Sequence, residues 1–131
     1  MPIVRYFNGD YALRLNKARC NCGLKTPIMG QILGRESEII EHRGNAIFPL
    51  DIDNAFIKEP NLLLYQAIYG DAGLRVKYIP AIRNRHIDII AIKKSLINIF
   101  KDDKLPVDFE VTGAILPSHR GKFKTVVINK P

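Results

Sequence analysis

The sequence predicts an α+β fold: a small mixed sheet with two main helices packed on it, preceded by short β-hairpins. Three observations carry this. Residues 74–79 alternate apolar and charged, with Leu74, Val76 and Tyr78 set against Arg75 and Lys77, as in a strand with one buried face. Residues 85–100 place Ile89, Ile92, Leu96, Ile99 and Phe100 on one helical stripe. The first third is turn-rich and has little with which to build a core of its own.

The opening reads as two strands, 3–6 and 11–15, around Asn8-Gly9-Asp10, a dipeptide context that favours a tight hairpin. A Cys-containing loop over 18–23 and a short apolar strand over 28–33 follow. This part reads as the edge of something larger. From Gly34 the pattern becomes self-sufficient. A strand over 38–41 and a turn at Gly44-Asn45 lead to Pro49, which suits the first turn of a helix reaching about Lys58. Ile52, Ala55 and Phe56 share its inner face, and Pro60 ends it. Strands over 62–69 and 74–79 are joined by Gly70-Asp71-Ala72-Gly73. In the helix over 85–100, Ile90 and Ile97 flank the stripe, and Lys93 interrupts it and has to snorkel. A strand over 109–111 follows, and 123–128 is either a strand or a final helical turn.

The 131 residues hold one ordinary domain, or a small domain with an appendage, and 47% hydrophobic content is enough for a core. No apolar run approaches a membrane span and the start does not resemble a signal peptide, so a cytoplasmic address is expected. The net charge is +7 and the isoelectric point about 9.6. Lys and Arg are dispersed; Arg83 with Arg85, and Arg120 with Lys122 and Lys124, are the densest groups. A solvated basic surface accounts for them better than a nucleic-acid site, and a small anionic ligand such as a nucleotide is a third explanation. Cys20 and Cys22 stand one residue apart, a spacing poor for a mutual disulfide. They are either structural thiols in a turn or two zinc ligands, and a structural zinc site needs about four.

Four short motifs stand in order: Tyr6-Phe7-Asn8-Gly9-Asp10, Cys20-Asn21-Cys22-Gly23, Gly34-Arg35-Glu36-Ser37-Glu38 and Pro117-Ser118-His119-Arg120-Gly121-Lys122. Together they resemble the C-terminal part of AMP-forming, adenylate-forming ligases. The Cys-x-Cys-Gly element and Phe48-Pro49 resemble the phenylacetate–coenzyme A ligase branch, which includes capsule-biosynthesis relatives.

The resemblance implies a division into 1–33, the end of a large adenylation domain, and 34–131, a mobile C-terminal ligase domain. It implies an acid–coenzyme A ligase reaction in two steps, with ATP/AMP and magnesium, coenzyme A and a carboxylic acid as ligands. It places Asp10 on the ribose hydroxyls, where a carboxylate accepts two hydrogen bonds. Arg35 becomes a nucleotide ligand through its rigid donor fork. Ser37 becomes the hinge, where relatives carry Asp or Lys, and Asn8 replaces a customary Thr. Arg43-Gly44-Asn45 corresponds to the loop that faces coenzyme A, with Gly44 permitting close backbone approach. Lys122 becomes the catalytic cation that stabilises charge on the α-phosphate as pyrophosphate departs. In some relatives a zinc sits at the position of Cys20 and Cys22.

The phosphate-binding loop and acyl pocket belong to the large domain and are absent from this sequence, so the chain alone is expected to be inactive. A large N-terminal adenylation domain is the expected partner, no membrane is, and a homodimer is left open. The rival readings are a non-catalytic binding module of the same fold and a basic nucleic-acid-binding domain.

Overall fold

The computed structural model describes residues 7–15, 21–23, 25–82, 85–117 and 121–129. The first two strands form an antiparallel ribbon: β1 (Asp10–Leu15) pairs with β2 (Ile28–Arg35), interrupted by register shifts either side of Ala12. The strand expected over 3–6, and the hairpin built on it, lie outside the described residues. A single turn of 3-10 helix (Glu36–Glu38) follows, so the strand expected from residue 38 begins instead at Ile40. That turn is strapped back to the ribbon by the Glu36 N–H donating to the Gly9 carbonyl at 2.8 Å.

β3 (Ile40–His42) and β4 (Asn45–Ile47) form a hairpin whose two turn residues, Arg43 and Gly44, both have positive φ, 49° and 77°. Such a turn matches the natural strand twist, and glycine fits it freely while arginine does not. α1 (Pro49–Phe56) opens with proline at its first position, and the Asp51 carboxylate accepts the Phe48 N–H at 2.9 Å. Its buried residues, Pro49, Ile52, Ala55 and Phe56, form the face expected from their spacing. Gly34 is fixed by this helix: a Cβ there would stand 2.5 Å from Pro49 Cγ.

The main sheet has the order β7-β6-β5-β8. β5 (Leu62–Gly70) and β6 (Gly73–Pro80) are an antiparallel hairpin, flanked on each side by a parallel strand, β7 (Val107–Val111) and β8 (Val126–Ile128). The sheet is therefore mixed, and the last segment resolves as a strand rather than a helical turn. α2 (Ile89–Phe100) packs beside α1, burying Ile92, Leu96 and Phe100. With Leu74, Val76, Ala67 and Val126 from the sheet they make one core, as expected of the α+β class.

Two expectations for α2 are corrected. The helix starts at Ile89, not Arg85, because Asp88 caps it by accepting the Ala91 N–H at 2.9 Å. Upstream, the buried Asn61 amide donates to the Arg85 carbonyl at 2.9 Å and its oxygen accepts from the Ile82 N–H at 3.0 Å. Those bonds tie backbone groups around the helix start to a loop side chain. Lys93 does not snorkel either: the buried seam runs 92, 96, 100, and Lys93, one residue round from it, is exposed.

Candidate functional site

The ribbon brings two of the expected ligand-binding residues together. Asp10 and Arg35 are register partners of β1 and β2, and Arg35 Nε lies 3.6 Å from Asp10 Oδ1. Both side chains are part-exposed, so the pair is open to solvent and to a ligand. The approach is shaped by the preceding turn, in which the Asn8 side-chain oxygen accepts the Asp10 N–H at 3.0 Å. Asparagine at this place therefore supports the backbone that presents Asp10.

Ser37 sits in the 3-10 turn directly after Arg35. It lines a half-open cleft of about 360 Å³ with Tyr11, Glu36, Ile39, Glu41, Tyr69 and Ile128, which spans the ribbon, the turn and the main sheet. Glu38, at the end of the same turn, pairs with Lys124 at 3.5 Å, and the Lys124 carbonyl accepts from Gln66 Nε2 at 3.0 Å. The chain two residues after Lys122 is thus fastened to both the turn and β5. Gly121 has φ 72° and Lys122 is exposed, while Ser118, His119 and Arg120 lie outside the described residues.

Gly44 lies on a separate element, the tip of the β3–β4 hairpin, with no atom within 4 Å of where a Cβ would stand. Beneath that tip is a polar cluster that sequence reasoning missed. Asp102, 5% exposed, directs Oδ2 at His42 Nε2 (3.0 Å) and Oδ1 at Arg43 Nη1 (2.9 Å), and Oδ1 also accepts the Lys104 N–H at 3.1 Å. His42 Nδ1 meets the Tyr69 hydroxyl at 2.8 Å, and its ring stands edge-on to Tyr69 and Phe100. Burial alone would raise the Asp102 carboxyl. The His42 and Lys104 hydrogen bonds and the charges of Arg43 and His42 outweigh it and hold the group below the ordinary aspartate range. His42 and Asp102 are 60 positions apart, and Lys101-Asp102-Asp103 has the composition of a solvated loop, so no local signal marks the cluster.

Cys22 is exposed and Cys20 lies outside the described residues. Among the described residues no group of three or more His, Cys, Asp or Glu is arranged to hold a metal ion. Among them, too, no helix is long and apolar enough to cross a membrane. Of the densest basic groups, Arg83 and Arg120 fall outside the described residues.

No family model matches the chain. A 68-residue stretch is 31% identical to the phenylacetate–coenzyme A ligase of Thermus thermophilus, covering 52% of this chain and 15% of that enzyme. The fold matches a solved 2-hydroxyisobutyryl-CoA ligase in the postadenylation state in complex with R3-HIB-AMP. The match has a TM-score of 0.65 and 18% identity, over 98% of this chain and 29% of that one. An open conformation of that ligase, in complex with 2-HIB-AMP and CoA, matches with a TM-score of 0.56 and 19% identity over 99% of this chain. The resemblance to adenylate-forming ligases holds. It holds for a segment only, since the chain spans under a third of either relative's length.

Proposed function

We propose that this chain is the C-terminal domain of an AMP-forming acyl or aryl acid–coenzyme A ligase, joined to the last ribbon of the large adenylation domain. The observation that carries the reading is the pairing of Asp10 with Arg35. Two residues singled out by separate motifs, 25 positions apart in sequence, meet in strand register on one exposed edge. A carboxylate that accepts from ribose hydroxyls beside a guanidinium that donates to oxygen-rich groups is a chemically coherent nucleotide edge.

In this reading the boundary falls at Gly34, between 1–33 and 34–131, and Ser37 is the hinge. The same ligase matches this chain less well in its open conformation than in its postadenylation state. A joint inside the matched span would account for such a difference. Lys122 enters the adenylation site on its Gly121 loop and stabilises charge on the α-phosphate. After rotation, Gly44 lines the path of coenzyme A. ATP with magnesium, coenzyme A and a carboxylic acid are the ligands, a large adenylation domain is the partner, and the cytoplasm is the compartment. Cys22 with Cys20 supplies at most two thiolates, so a zinc there draws its remaining ligands from elsewhere.

Two measurements test the reading. The isolated chain gives no ATP–pyrophosphate exchange with any carboxylic acid, and exchange above a heat-killed control would overturn the division of labour. With the large domain supplied, Lys122→Ala slows adenylate formation about a hundredfold or more and spares thioester formation from preformed adenylate. Equal losses in two single-turnover assays, one per half-reaction, would remove Lys122 from the chemistry.

A further inference from the structure

The β3–β4 turn holds an arginine in a conformation that arginine avoids. Arg43 has φ 49°, one of two non-glycine residues among those described with positive φ. Strain of this kind persists only where the surroundings over-determine it. Here the surroundings are visible. One buried carboxylate grips the last residue of β3 and the first of the turn, His42 through Oδ2 and Arg43 through Oδ1, and is itself held by the Lys104 N–H. Tyr69 closes the other side of the His42 ring. The Arg43 side chain keeps most of its surface in solvent (64% exposed), and its Nη1 reaches Asp102.

We infer that Asp102 is a positioning residue: from the end of α2 it locks the Arg43-Gly44 turn, so that an exposed guanidinium and a bare glycine backbone stand preformed toward an anionic ligand. The ligand class rests on the proposed ligase reading, in which this turn faces coenzyme A. The lock itself rests on geometry alone. A plain structural staple would stabilise the fold without affecting what the turn binds. A lock keeps the turn in its binding-competent state, and apparent affinity falls with the fraction of molecules in that state.

The test uses the 131-residue chain, ¹⁵N-labelled, with coenzyme A as probe and AMP as control. In the wild type, coenzyme A shifts the Arg43 and Gly44 amide signals more than AMP does. Asp102→Asn, nearly isosteric, moves those amides toward averaged positions and weakens coenzyme A about tenfold, the loss expected if roughly one molecule in ten keeps the turn formed. Arg43→Gly relieves the strain, so in that background Asp102→Asn leaves the Gly44 signal in place. If Asp102→Asn lowers the melting temperature but leaves the turn signals and the affinity unchanged, the lock is refuted. If the turn loosens as described but the wild type shows no coenzyme A binding, the lock stands and the ligase reading of this turn fails.

Discussion

The ribbon and the body of this chain use their apolar residues in opposite ways. Every residue of β1 is exposed, and Leu13, Leu15, Met29 and Ile32 hold apolar side chains in solvent. From Ile40 onward the same residue types turn inward, and every buried hydrophobic side chain among the described residues lies in that stretch. The ribbon keeps its place through a few contacts at one end: the Tyr11 ring against Phe48, Gly34 against Pro49, and the Glu36–Gly9 backbone bond. A two-stranded ribbon is marginal in water without a surface to cover it. The body stands on its own core, and the ribbon contributes none of its buried apolar side chains.

The strongest way to break that comparison is to hollow the body. Leu96 is fully buried at the centre of α2, so Leu96→Ala removes packed methyl groups and leaves a cavity. A loss of about 2–5 kcal/mol in urea unfolding is expected, a large share of the stability of a domain this small. A loss under about 1 kcal/mol would show that the α1–α2 layer is not the stabilising centre.

A smaller loss is expected on acidification. The folded Asp102 carboxyl sits below its unfolded value of about 3.9, so its contribution is present above that pH and disappears as pH falls through the depressed folded value. Wild type should therefore lose stability on acidification below about pH 5 more steeply than Asp102→Asn, which has no such group to protonate. Parallel curves in urea melts across that window would show that the cluster contributes no linked protonation.

How much of this was legible in the sequence depends on the range of the interaction. Period-two alternation in β6 and the buried face of α1 are local patterns, and both appear where the spacing puts them. The start of α2 is set by the Asp88 cap, and the backbone before it is held by the buried Asn61, more than twenty residues upstream; the apolar stripe registers neither. The 3-10 turn at Glu36–Glu38 is tied to Gly9 by a backbone bond, again a distant partner. Asp10 and Arg35 are singled out by their motifs, and their meeting depends on a β1–β2 register that neither motif contains. The Asp102 cluster had neither periodicity nor motif. It became visible only when the hairpin tip and the end of α2 met in space.

The smallest effect sharpens the comparison most. Met29 is 66% exposed on the ribbon. In the isolated chain Met29→Ser should change unfolding stability by no more than about 0.5 kcal/mol, the usual range for a surface substitution away from packed features. If the ribbon is the margin of a larger domain, the same residue is covered when that domain is present. Losing a buried methionine side chain then costs on the order of 1.5–3 kcal/mol. The comparison therefore needs two melts per variant, one on the 131-residue chain and one on the chain joined to the adenylation domain of the proposed reading. A penalty confined to the joined form identifies the ribbon as an interior edge exposed by its isolation. Negligible change in both would mean that the apolar ribbon faces solvent in either state, and the boundary at Gly34 would lose its physical basis.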